Sequence, residues 1–235
     1  MRLTTLATAI ISTLLSRATP SHSLPQSPAP YQNITTPSLS TRNPVTAITL
    51  HLGARRTNVG GTPYAVLYDH IYQAINTACP FGSSNSACAG GTATFKVRTH
   101  ASPGVAPFQV DVKVRVNAAR WFGNLVVYKL MVGAIAGAVE RGTYVPEHCQ
   151  PFKEVERGVV REYVYCNTVG SVKVLLPGKV GYFMGVSLET VLGTGEFECT
   201  AITSTVENYL DQLKPEFEKA LGMPEMYVEA KCIYD

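Results

Sequence analysis

Between Thr92 and Asn117 the chain reads as two alternating combs. Phe95, Val97 and Thr99 alternate with Lys96, Arg98 and His100, and after a turn Phe108, Val110, Val112, Val114 and Val116 alternate with Gln109, Asp111, Lys113, Arg115 and Asn117. A period of two over runs this long is a strand signal. Two such runs across "ASPGVAP" predict an antiparallel hairpin with one apolar and one wet face. The wet face is mostly basic, so Lys96, Arg98, His100, Lys113 and Arg115 are the candidate binding residues, with Asp111 beside them and Arg55, Arg56 and Arg120 as further cations. Such a patch suits phosphates, acidic polysaccharide or anionic headgroups. An ordinary solvated sheet face, whose charges discourage edge pairing, has the same pattern. Nucleic-acid readers interleave aromatics with cations, whereas in this hairpin the aromatics point the other way.

Strand alternation also marks Val45–Ala54, and "NVGG" breaks it. Thr62 is placed to cap a helix with Pro63 in its first turn, and Tyr64, Leu67, Tyr68, Ile71, Ile75 and Ala78 recur at helical spacing. "GNLVVYKLMVGAIAGAVERG" (123–142) is apolar nearly all round, the pattern of a buried helix. Gly133 and Gly137 allow close packing within it, on a sheet. With a strand at 159–166 the order becomes βαββαβ, a split-βαβ or ferredoxin-like layout. Further strands are expected at 171–176, 182–192 and 196–202, then a helix over about 205–221 kinked by Pro215 and stopped by Gly222 and Pro224, and a closing strand at "MYVEAKCIY". The fold class is therefore α+β: a mainly antiparallel sheet with helices on one face, in a body spanning 45–235 with a possible subdomain division near 156.

The first 23 residues have the form of a signal peptide: Arg2, then the apolar run Leu3–Leu15, then small residues at two cleavage points. That run is too short to span a bilayer. Residues 24–44 form a Pro/Ser/Thr-rich leader with little to bury, and Asn33-Ile34-Thr35 is a glycosylation sequon. Removal of Arg2 and Arg17 leaves 18 of the 20 basic residues against 17 acidic ones, so net charge points to no polyanion partner. The distribution is uneven. Leu24–Arg120 holds 8 basic and 2 acidic residues, and Trp121–Asp235 holds 10 basic and 15 acidic. Such asymmetry creates a directed field at low total charge.

The six cysteines, at 79, 88, 149, 166, 199 and 232, are even in number and all lie beyond the leader, the usage of an oxidised secreted protein. Six cysteines permit many pairings. The short spacer pairs Cys79 with Cys88, and sequential order assigns Cys149 to Cys166 and Cys199 to Cys232. Zinc-type spacing is missing, as are G-x-S-x-G, Walker and Rossmann patterns, so neither metal nor cofactor is expected. Glu196 and Glu198 share one strand face and make no opposed pair for glycoside hydrolysis. As an enzyme the chain is read as a ribonuclease-like hydrolase using His100 as acid or base beside Lys96 and Arg98, with its second group undefined. His51 is read as structural.

Signal peptide, Ser/Pro-rich leader, low charge and even cysteines together resemble the small secreted effector proteins of filamentous fungi, and the βαββαβ order over 45–166 resembles their killer-toxin-like α/β members. The resemblance implies a secreted, non-enzymatic virulence-type protein that binds a host or competitor macromolecule. A secreted hydrolase and a cell-wall-associated structural protein are the alternatives.

Overall fold

The computed structural model describes residues 46–82, 86–100, 106–178, 181–193 and 195–234, within a compact unit spanning Arg42–Asp235. The signal peptide, the leader and Asn33 lie outside the described residues.

The combs form as their alternation requires. Strand β4 (Thr92–Thr99) pairs antiparallel with β5 (Phe108–Arg120), with Val97 opposite Val110 and Phe95 opposite Val112. Val97, Val112, Val114 and Val116 are buried, and Lys96, Arg98, Lys113 and Arg115 are exposed. The hairpin belongs to a seven-stranded sheet with β1 (Ala47–Gly53), β3 (Ala87–Ala89), β8 (Ser171–Leu175), β9 (Phe183–Glu189) and β10 (Tyr227–Ile233), in the order β10-β1-β8-β9-β5, with β3 and β4 both pairing β5. Every pair is antiparallel except β1 with β10. The α+β class and the mainly antiparallel sheet are as the sequence predicts.

Helices α1 (Tyr64–Ala78), α2 (Leu125–Arg141) and α3 (Thr203–Leu221) supply the other side of the core. Ile48, Leu50 and Leu52 of β1, Val172 and Val174 of β8, Met184, Val186 and Leu188 of β9 and the valines of β5 join Leu67, Ile71, Val132, Ile135, Val206, Leu210 and Phe217 in one buried cluster. Burying each such side chain contributes about 1.5–3 kcal/mol. The sheet needs one apolar face to do this, which its period-two strands provide. Helix α2 is buried from Met131 through Glu140 because it lies between α1 and α3, which explains its all-round apolar sequence. Its glycines admit tyrosines from the flanking helices, a different close packing from the expected contact with a sheet. A Cβ at Gly137 would lie 2.0 Å from the Tyr209 ring, and one at Gly133 would lie 3.2 Å from the Tyr68 hydroxyl. Tyr209 also donates to the Gly133 carbonyl at 3.0 Å.

The βαββα succession of β1, α1, β4, β5 and α2 is present, with a further strand at Arg56–Gly60 inserted before α1 and β3 inserted before β4. The strand that next joins this sheet is β8, antiparallel to β1. The strand expected to close the layout, at 159–166, lies within β7 (Val159–Val169), which forms a second sheet, β2-β7-β6, with β2 (Arg56–Gly60) and β6 (Cys149–Glu156). β7 runs in register with β6 along the whole of that strand, from Cys149–Cys166 to Glu156–Val159, and this pairing takes it out of the main sheet.

Two smaller expectations are corrected. Thr62 donates its hydroxyl to the Val59 carbonyl, and α1 starts after Pro63 without a side-chain cap. As expected, α3 runs through Pro215 and ends at Gly222, which takes the left-handed conformation (φ 64°). Residues 196–202 make one isolated bridge, Glu196 to Arg55, and then turn into a short 3-10 helix, Cys199–Ile202, that leads into α3. The three disulfides are Cys79–Cys88, Cys149–Cys166 and Cys199–Cys232, the sequential set. No helix among the described residues is long and apolar enough to cross a membrane.

Candidate functional site

The hairpin's register sets its cations on one wet face, and the same register gives them acidic neighbours. Lys96 stands directly across from Asp111. Lys113 stands across from Glu189 of β9, with Nζ 3.8 Å from its carboxylate. Arg98 donates to Glu154 Oε2 of β6 at 2.8 Å and lies 5.1 Å from the Tyr163 ring. Glu154 is buried and also accepts from the Tyr165 hydroxyl. Burial, reinforced by that hydrogen bond, pushes the Tyr165 hydroxyl well above the usual phenol range. Arg115 is exposed, between Thr92 and Ser187. Thus Arg98 braces the main sheet against the second sheet, and Lys96 and Lys113 are partly neutralised.

His100 follows the end of β4. Its ring stacks on Phe152, 4.4 Å between centroids, and lies 5.9 Å from Tyr165. Its Nδ1 is buried without a hydrogen-bond partner among the described residues. Glu154 of β6 is held by Tyr165 and Arg98. The five proposed binding residues share a face or its end, but they do not converge on one point.

The wet face continues inward, over strands whose outward residues follow the same alternation. Lys231, His51, Lys173 and Gly185 form one row across β10, β1, β8 and β9, and Gly185 pairs with Ala118 of β5. A second row runs Ile233, Gly53, Ser171 and Ser187. These rows enclose a groove of about 390 Å³ lined by His51, Asn117, Ser171, Lys173, Phe183 and Gly185, among others. Two local features shape it. The register shift between Val116 and Ala118 sets Asn117 apart from the ladder, where its side-chain oxygen accepts from Ser187 Oγ at 3.1 Å. At Gly185 a Cβ would meet its nearest atom only at 3.7 Å, so glycine deepens the floor there without strain.

The groove is cationic. His51 is held below its usual pKa by burial first and by Lys173 and Lys231 next, with Glu229 opposing. Its imidazole is therefore neutral near pH 7, ready to gain a proton if an anion arrives. Phe183 lies between two cations: Lys173 Nζ and the Arg120 guanidinium each sit 5.9 Å from its ring centre, and Arg120 is also 5.4 Å from Phe122. Aromatics and cations do interleave on this face, in the middle of the sheet and away from the hairpin. Such a surface can take a negatively charged group beside a flat or apolar one. No group of three or more His, Cys, Asp or Glu among the described residues is arranged to hold a metal ion.

Sequence reasoning read His51 as structural and passed over Lys173 and Phe183. Lys173 stands between Val172 and Val174, the same alternation as the combs, so its outward direction was available. The neighbourhood of the three residues was not, because β1 is brought beside the β8–β9 hairpin from far along the chain. Comparison with known protein families, with curated proteins and with solved structures finds no match to this chain.

Proposed function

We propose that this is a secreted, disulfide-braced binding protein of the effector or toxin type, acting on a host or competitor cell, and that its open sheet face takes an extended anionic polymer. The observation that carries the reading is the groove at the centre of that face, lined by His51, Lys173 and Phe183, with Lys173 and Arg120 each 5.9 Å from the Phe183 ring. Three disulfides among the described residues suit an oxidising exterior. The helices pack on the opposite face in one shared core, so a ligand-sized concavity on the bare face is not needed for core packing.

Retention of the oxidised protein on immobilised heparin, run against a salt gradient, tests this. The expected result is salt-dependent retention that weakens by about tenfold in affinity when Gly185→Val fills the groove floor. Retention that ignores salt, or that Gly185→Val leaves unchanged, overturns it. Anionic vesicles and single-stranded RNA run in parallel distinguish a headgroup or nucleic-acid ligand from the polysaccharide. RNA recovered intact separates binding from the ribonuclease reading, and cleavage lost in His100→Ala would restore that reading.

A further inference from the structure

A second concavity, of about 330 Å³, lies apart from the sheet groove. It is bounded by Arg56 at the start of β2, Glu147 and His148 of a single 3-10 turn, Asn167 of β7, and Glu196 and Glu198 ahead of α3. Half-cystines stand next to three of these residues in sequence: Cys149 follows His148, Cys166 precedes Asn167 and Cys199 follows Glu198. Disulfides Cys149–Cys166 and Cys199–Cys232 therefore hold its walls in place before any ligand arrives. Pre-formed walls are a feature of binding sites, because less ordering free energy is lost on association.

The chemistry at its base is specific. His148 is 8% exposed, and its ring centroid lies 4.2 Å from that of Phe197. His148 Nδ1 is 2.9 Å from the Gly142 carbonyl oxygen. A carbonyl only accepts, so Nδ1 carries the hydrogen, and in the neutral ring Nε2 presents a bare lone pair. Nε2 is buried with no hydrogen-bond partner among the described residues. Leaving a buried acceptor unmet costs free energy, which a ligand that donates to it recovers. Around the rim, Glu147, Glu196 and Glu198 are exposed and Arg56 is the single cation, so the cavity is acidic overall. Glu198 also accepts from the Thr200 hydroxyl, which fixes one carboxylate oxygen.

We propose that this cavity binds a small organic cation bearing N–H groups, one N–H donated to His148 Nε2 and its charge met by Glu147, Glu196 and Glu198. Arg56 limits the ligand to a cation whose charge sits on the glutamate side. The site is opposite in sign to the sheet groove, and it draws on the acidic excess of the chain after Trp121.

The test is nitrogen-detected histidine side-chain NMR on the oxidised protein, titrated with n-butylammonium. Tetramethylammonium, a cation without N–H, and acetate, an anion, serve as controls. Nε2 is expected to start unprotonated and to shift saturably with n-butylammonium, while acetate leaves it unmoved and tetramethylammonium moves it little. His148→Phe, which keeps a ring against Phe197, weakens n-butylammonium binding by about tenfold, measured calorimetrically. The exposed double change Glu196→Gln/Glu198→Gln weakens it by a similar factor and serves if the first variant does not fold. An Nε2 already protonated near pH 8, a resonance that none of the probes moves (water alone filling the site), or a stronger response to acetate would each overturn the proposal.

Discussion

The cations of the outer hairpin and those of the inner strands occupy one sheet face under different conditions. At the hairpin, Lys96, Arg98 and Lys113 stand against Asp111, Glu154 and Glu189. Further in, Lys173 and Arg120 stand over Phe183, with a neutral His51 alongside. A cation beside a carboxylate has its field cancelled within a few ångströms, whereas one over a ring keeps its field for a ligand. The two sets are also far apart. Arg98 is level with Gln109 and the groove with Ala118, so about 30 Å of strand separates that cation from the groove at the usual rise per residue, and Lys113 stands about 16 Å from it along β5. A run of charges in a sequence thus does not locate a binding surface. The neighbours that remote strands supply decide which charges remain active.

The largest expected effect would break the comparison at the hairpin end. Glu154→Ala leaves the Tyr165 hydroxyl buried without its acceptor and removes the carboxylate bonded to Arg98. Because Arg98 is itself 44% exposed, the loss is set at about 2–3 kcal/mol, below that of a fully buried pair, and is read from urea midpoints at constant slope. Heparin retention changes by less than about twofold, since the site is a sheet's length away. At the inner end the double variant Arg120→Ala/Lys173→Ala does the reverse. Stability moves by less than about 1 kcal/mol, while the slope of log affinity against log salt falls by about two. Equal losses of retention from both variants would erase the distinction between the two sets.

His51 sharpens the comparison through pH. A bound anion favours the imidazolium, so affinity is expected to rise as pH falls through the pKa of the complex and to level off below the lowered pKa of the free protein; His51→Gln removes this dependence. Folding has its own sign. Because the folded pKa lies below 6.5, the unfolded chain binds more protons in the window between them, and stability declines as pH drops through that window. The smallest effects belong to Lys96→Ala and Lys113→Ala. Each is expected to change stability by less than about 0.5 kcal/mol, as exposed pairs do, and retention by less than about twofold.

Local features of this fold were legible in the chain. Period-two alternation marked β4, β5 and the buried face of β1. The apolar run at 123–142 marked the central helix, and cysteine order gave the disulfides. Non-local features were not. In β6, Pro151 and three charged residues interrupt the apolar signal, and the strand is held by its register with β7 and the Cys149–Cys166 bond. In β2, the Asn58–Gly60 sequence reads as a break, and in the structure it is an irregular register against β7. At 196–202 the alternation suggested a strand, but Cys199 is buried and tied to Cys232, and the segment turns toward α3. His51 and His148 each look unremarkable along the chain. One gains its role from Lys173, the other from a carbonyl and a ring on separate segments.

The single parallel pair in the sheet, β1 with β10, has a consequence for biosynthesis. β1 leads the strands in order of translation and β10 closes them, so one flank of β1 stays open until the ribosome has made nearly all of the body. Cys199 likewise waits for Cys232. A nascent chain stalled after α3 should therefore present an uncovered strand and a lone thiol to the folding machinery, and oxidation of this bond would register the docking of β10 beside β1.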